Sequence, residues 1–452
     1  MTALTVSALL AWALFAFGGT YLWGAAATAA GAAMLLVVSR RAVRPAPDLR
    51  ALNVLLLAAL AVAAFQTVRL PSAVVRVLSP QREAFAAVTS LEGASGALPL
   101  SIAPADSFQA LIVFGSAVAV FWSALGVFQF GGIRTVARSV AFLGLAAAVL
   151  GILQDASRTR LIYWWWPPLS EGPPGFGPFI NRNHYAAWTV MALALSVGYL
   201  AARTHARDEM DRFRSFSARL RRRLDLRTVW LLLAIAAMIL GAVLSLSRSG
   251  MAGGVAAIVA ARMVVAVRRH PWRRWSWIGA ASVLVLAIVW TGPSALMNRW
   301  QAVDIGQEGR SIIWRDTRPI VRDFWLTGTG VGTYGAAMTV YQRSDRDSVH
   351  FNQAHNHYLQ VLVEGGVLLW ALCAAAAFVF VRAARQRLHG DHTGMLWLRV
   401  GAAAGLAGLA VSSLWETAAR MPANALLAAV AAAIVLHDAH APRPSTPDHE
   451  DR

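Results

Sequence analysis

Apolar residues fall into long runs along this chain, and short polar stretches break those runs at intervals that suit a bilayer. Taking about 20 apolar residues per crossing, the pattern predicts helices near 4–22, 24–38, 51–68, 108–127, 136–153 and 184–201. Six more are predicted near 228–246, 250–267, 276–292, 358–381, 396–414 and 422–437. The fold class is therefore an all-α polytopic membrane protein with about twelve transmembrane helices, of which the second and last are short. Residues 1–441 form one integral membrane domain, and a long polar loop, 293–357, separates spans nine and ten. Residues 442–452 are polar and proline-containing, and are expected to be a disordered tail.

Arginines orient these spans, because cytoplasmic loops retain basic residues while translocated loops need not. Arg40, Arg41, Arg44 and Arg50 follow span two, and Arg203, Arg207, Arg212, Arg214, Arg219, Arg221, Arg222, Arg223 and Arg227 follow span six. Arg262, Arg268, Arg269, Arg273 and Arg274 follow span eight, and Arg382, Arg385 and Arg387 follow span ten. These clusters agree in parity, so both termini are expected on the cytoplasmic side. The loops 69–107, 154–183 and 293–357 then share the opposite face.

Composition supports this picture and removes some alternatives. The 452 residues are 57% hydrophobic and only 14% charged, with mean hydropathy +0.51, whereas about a quarter of a soluble protein is charged. A formal net charge of +18 could suggest nucleic acid, but the basic residues sit in short clusters between apolar runs and report topology instead. The single cysteine, Cys373, lies in an apolar run, which excludes an intramolecular disulfide and a cysteine-based metal site. The N-terminus lacks a basic region and a clear cleavage site, so the first run is read as a retained span. No solenoid-type repeat is present.

Candidate chemistry gathers on the outer face. The stretch from His350 through Ala354-His355-Asn356-His357 to Glu364-Gly365-Gly366 turns from polar to apolar. His355 is the candidate base, since an imidazole where water meets lipid could take a proton from a substrate that is part polar and part lipid. The plainer reading is a helix start with Asn352 or Asn356 as N-cap. A metal set of His350, His355 and His357 lacks a recognised ligand spacing, and a His-Asn-His nuclease would need a soluble unit. Glu364 could share a helix face with His357 and would need a partner inside lipid, most naturally an arginine. Glu416 and Arg420 could form another pair.

Three outer arginines are not explained by topology. Arg182 lies in Asn181-Arg182-Asn183-His184, Arg248 in the short hairpin Ser247-Arg248-Ser249-Gly250, and Arg310 follows Gly309 with Trp314 one turn beyond. Each alone could snorkel to headgroups. Together they suit a diphosphate, because a guanidinium donates two parallel charge-assisted bonds to phosphate oxygens, and Ser247 and Ser249 could add hydroxyl donors. Gly328-Thr329-Gly330-Val331-Gly332 reads as a tight turn rather than a nucleotide loop. The run Tyr163-Trp164-Trp165-Trp166-Pro167-Pro168 reads as an interfacial aromatic belt, with a sugar-stacking platform as the sharper alternative.

In this order, Asn181-Arg182-Asn183-His184, Ser247-Arg248-Ser249-Gly250, Gly309-Arg310 with Trp314, Leu326 to Gly332, and Ala354-His355-Asn356-His357 closing on Glu364-Gly365-Gly366 resemble the O-antigen ligase family of bacterial envelope glycan transferases, which includes O-antigen and exopolysaccharide polymerases. The ligase pattern places a second glycine where this chain has Leu369. The resemblance implies a GT-C-like fold in the bacterial inner membrane with its active site at the periplasmic face. It also implies metal-independent, inverting transfer of a glycan from undecaprenyl diphosphate to an acceptor hydroxyl, with no cofactor. His355 would be the catalytic base, and Arg182, Arg248 and Arg310 would bind the diphosphate. Asn181, His184, Ser247, Ser249, Trp314, Asn356 and Glu364 are possible support. The acceptor would be lipid A core for a ligase, or another lipid-linked glycan for a polymerase. A transporter or flippase for lipid-linked sugars is a different class, disfavoured because the polar groups gather at one face instead of lining spans to the midplane.

Overall fold

The computed structural model describes residues 2–41, 47–89, 96–168, 175–210, 225–267, 303–343 and 350–438. The predicted ninth span, the tail 442–452, parts of the 293–357 loop, and Arg44, Arg212, Arg214, Arg219, Arg221, Arg222, Arg223, Arg268, Arg269, Arg273 and Arg274 lie outside the described residues.

The other eleven predicted spans are present as α1 (Thr2–Phe15), α2 (Leu22–Ser39), α3 (Arg50–Phe65), α6 (Pro104–Gln129), α7 (Ile133–Ala156), α8 (Arg182–Met210), α9 (Leu226–Leu244), α10 (Arg248–Val267), α13 (His357–Gly390), α14 (Leu396–Ser412) and α15 (Pro422–Leu436). Eight of these segments are long and apolar enough to cross a membrane, and α1, α14 and α15 are shorter apolar helices. The protein is thus a multi-pass helical membrane protein. Two expectations change. The first span stops at Phe15, because the chain turns through Phe17–Gly19 with Gly18 left-handed at φ 68°. The tenth is broken at Gly366, whose φ of 61° and ψ of −171° no helix contains.

Small residues decide how the central helices meet. On α14, Gly401 lies against the Ala194 carbonyl and Gly405 against the Met191 backbone of α8, while Gly408 faces Gly253 of α10. A methyl group at any of these positions would collide with backbone or a packed side chain, so the stripe sets the close approach of the three helices. The same contacts fix direction. Gly250 meets Ala186 and Gly253 meets Ser412, so α8 and α10 begin at the end of the bundle where α14 finishes. The amide of His357 donates to the Ser413 carbonyl at 2.8 Å, which brings the start of α13 to that same end.

The segments read as outer loops also carry structure there. Residues 69–107 contain a two-residue antiparallel ribbon of β1 (Arg69–Leu70) and β2 (Leu98–Pro99) with α4 (Ser72–Leu78) and α5 (Gln81–Thr89) between them. The long loop contributes α11 (Val303–Asp323) and α12 (Tyr334–Tyr341). Phe85, Ile313, Ile320, Phe324, Tyr334, Met338 and Val363 form a second apolar cluster, separate from the main bundle core. This cap rests on the start of α13 and fixes what lies there.

The aromatic run folds onto the α1–α2 turn. The Tyr163 hydroxyl donates to the Phe15 carbonyl at 2.6 Å, the Trp166 indole donates to Tyr21, and Trp164 and Trp165 remain exposed.

Candidate active site

His355 precedes α13 in a backbone conformation that is uncommon for any residue but glycine, with φ at 48°. Its neighbours hold it there. The Trp314 indole donates to the Ala354 carbonyl at 2.9 Å, and the Ala354 amide donates to Gln360 Oε1 at 3.1 Å. Asn356, not Asn352, is the N-cap of α13, accepting from the Leu359 amide at 3.0 Å. The capping reading and the base reading therefore coexist, since the cap follows the histidine and orients it. A conformation of this kind costs about 1–3 kcal/mol and persists where the surroundings over-determine it.

Glu364 is the anchor beneath. Its Oε1 accepts from Gln360 Nε2 at 2.8 Å and its Oε2 from the Gly332 amide at 2.8 Å. The Leu326–Gly332 turn docks at the helix break: the Thr329 and Gly330 amides donate to the carbonyls of Val363 and Glu364, both at 2.9 Å, and the Val367 amide to that of Trp325 at 2.8 Å. Gly328, Gly330 and Gly332 all have positive φ, so the tight-turn reading matches the observed backbone. Gln66 at the end of α3 completes the clamp, donating to the Thr327 and Glu364 carbonyls at 2.7 and 2.9 Å and accepting from the Val331 amide. Leu369, standing where the ligase pattern has glycine, is buried against Gly365.

The centre of the site is Glu416, in the turn between α14 and α15. Its side chain is 1% exposed. Oε1 accepts from Asn183 Nδ2 at 2.6 Å and lies 3.5 Å both from Arg310 and from His355 Nδ1. Oε2 is buried with no hydrogen-bond partner among the described residues. Burial pushes this carboxyl up, but the imidazoles of His355 and His184 and the Arg310 guanidinium outweigh it and hold the group below its ordinary value. An ionised carboxylate thus joins a histidine to an arginine that sequence separates widely.

The carboxylates are paired differently from the sequence expectation. Glu416 faces Arg310, and Arg420 lies 3.6 Å from Glu364. Arg182 opens α8 beside Asn183, and the Asn181 side chain accepts from the Asn183 amide at 2.8 Å. His184 is buried under the site, with Asn424 donating to its carbonyl at 3.2 Å. Arg248 begins α10. Ser247 caps that helix by accepting from the Gly250 amide at 3.1 Å, and pairs with the buried Ser249 hydroxyl at 3.2 Å. Neither Arg182 nor Arg248 has an ion pair among the described residues. No group of three or more His, Cys, Asp or Glu is placed to share a metal among the described residues, and His350, His355 and His357 do not converge.

Asn183, Gln360 and Gln66 were not singled out from sequence, and Glu416 was read only as a possible partner of Arg420. A carboxylate between two apolar spans is the signal that could have found Glu416, because such a group needs partners.

Fold and site define a multi-pass helical membrane protein with a histidine, an arginine and a buried carboxylate converging at one end of the bundle. Residues 233–374, about a third of the chain, match the family model described as O-antigen ligase, which supports an O-antigen ligase family assignment and suggests a glycan-transferring enzyme of the ligase and polymerase class. The matched stretch contains Arg248, Arg310, Trp314, His355 and Glu364, whereas Arg182, Asn183 and Glu416 lie outside it. A comparison with curated proteins gave no match.

Proposed function

We propose that this protein transfers a glycan from undecaprenyl diphosphate to an acceptor hydroxyl at the periplasmic face of the bacterial inner membrane, acting as an O-antigen ligase with lipid A core as acceptor. The observation that carries the reading is the Glu416 carboxylate, which holds His355 and Arg310 at 3.5 Å from the same oxygen.

The Glu416 carboxylate, 3.5 Å from Nδ1, favours a tautomer with the proton on that nitrogen, which leaves the Nε2 lone pair to face substrate. The acceptor oxygen attacks the anomeric carbon as its proton passes to Nε2, and the bond from that carbon to the diphosphate oxygen breaks, leaving the electron pair on phosphate. In-line attack inverts the carbon. Arg310, with Arg248 and Arg182, meets the negative charge that develops on the leaving oxygen, which stabilises the transition state more than the ground state. Glu416 meanwhile offsets the positive charge gained by His355. This arrangement needs no metal.

A polymerase would use the same donor chemistry with a lipid-linked glycan as acceptor, so the test offers both acceptors. Purified wild-type and His355→Ala proteins receive a lipid-diphosphate-linked glycan with EDTA present. Glycan on lipid A core from the wild type, and a loss of about 100-fold or more in the variant, is the expected result. Longer lipid-linked chains would establish the polymerase instead, and undiminished transfer by His355→Ala would remove the base.

A further inference from the structure

A groove of about 400 Å³ opens between α1, α7 and α9, lined by Ser7, Ala11, Arg138, Ser139, Phe142 and Trp230 among others. It lies at the end of the bundle away from Glu416. The C-terminus of α7 leads into the loop before α8, and that of α9 into the hairpin before α10, so both helices start at the opposite end. Phe15, at the close of α1, is bonded by Tyr163 from the loop after α7, so α1 starts there too. Ser7, Arg138 and Trp230 lie four or five residues into their helices, about 6–8 Å from the helix ends at 1.5 Å per residue. Three helices therefore bring this groove to one depth, where phospholipid headgroups meet their acyl chains.

Arg138 is exposed on that surface and has no ion pair or hydrogen bond among the described residues. An exposed guanidinium at this depth snorkels to the headgroup layer and attracts anionic lipid there, and neither Ser139 nor the Trp230 indole donates to another described residue. Below them the walls are apolar, with Leu143 buried and Phe142 exposed. Arg134, one turn nearer the helix end, is exposed as well and adds positive potential.

From the charge and the apolar floor together we infer that the groove holds one anionic phospholipid, its phosphodiester on Arg138 and an acyl chain against Ala11 and Phe142. The inference is independent of the transfer reaction and of the site at the other end.

The test is lipid retention by the full-length protein, purified from nanodiscs of phosphatidylglycerol and phosphatidylcholine in equal amounts and weighed by native mass spectrometry. The wild type should retain phosphatidylglycerol in preference. Arg138→Ala should lower that retention about fivefold, the worth of one basic side chain at an anionic surface, and Arg138→Lys should largely keep it. Ala11→Trp, which fills the groove and leaves every charge in place, should lower retention as well. Equal retention of the two lipids by the wild type, or undiminished phosphatidylglycerol in both Arg138→Ala and Ala11→Trp, would overturn the site.

Discussion

Replacing Glu416 by glutamine removes one charge and almost no volume, and it tests whether the buried carboxylate works through His355. Arg310 lies 3.5 Å from Oε1, and His355, at the same distance, turns cationic there only as it takes the acceptor proton. At an effective dielectric of about 20, each such contact is worth roughly 4–5 kcal/mol before solvent screening. The side chains of Arg310 and His355 are 28% and 34% exposed, so screening and side-chain freedom reduce each to about 1 kcal/mol. The amide oxygen of glutamine can still accept from Asn183, so the fold survives the change. Arg310 is charged before and during reaction, so only the His355 contact, about 1 kcal/mol, is gained in the transition state, and kcat falls about fivefold. The assay is single-turnover transfer with saturating donor and acceptor, run for Glu416→Gln, His355→Ala and the double variant. A residue that acts through His355 adds little once His355 is gone. The reasoning is refuted if Glu416→Gln retains kcat within about threefold of wild type, or if the double variant falls below His355→Ala by the full single-variant factor.

The depressed Glu416 carboxyl also predicts a pH dependence of stability. A carboxyl held lower in the folded than in the unfolded state stabilises above its ordinary value of 4.5 and loses that contribution as pH falls through the folded value. Thermal melts of wild type and Glu416→Gln in detergent should therefore differ at pH 7 and converge progressively below pH 4.5. Gly366→Ala should fail to fold or melt far below wild type, because the backbone there has φ 61° and a methyl group would stand 2.3 Å from the Leu326 carbonyl oxygen; size-exclusion profiles and melting curves read this directly. Gln66→Leu leaves the Thr327 carbonyl and the Val331 amide of the glycine turn without their buried partner, while the Glu364 carbonyl keeps the Gly330 amide. At about 1 kcal/mol or more for each, it should destabilise the protein by about 2 kcal/mol in melts and raise protease cleavage within 326–332.

The amino-acid sequence by itself determined the spans. Eleven of the twelve apolar runs are helices, within a few residues of their predicted limits except at the ends of α1, α8 and α13, and eight are long and apolar enough to cross a bilayer, because apolar surroundings leave a backbone no other way to satisfy its polar groups. The order of motifs along the chain also singled out His355, Arg182, Arg248 and Arg310 as candidates, of which His355 and Arg310 meet at one carboxylate. What sequence could not supply was distance between spans. Glu416 is 61 positions from His355 and 106 from Arg310, and only the return of α14 along α8, set by the glycines at 401, 405 and 408, brings it to both. The outer segments were likewise beyond a reading by apolar length, since α4, α5, α11 and α12 belong to a small cap rather than to the membrane. Partner choice among the carboxylates was decided last: Glu364 and Glu416 each needed a cation, and which arginine served which was settled by where the Gly366 break and the turn after α14 set their side chains.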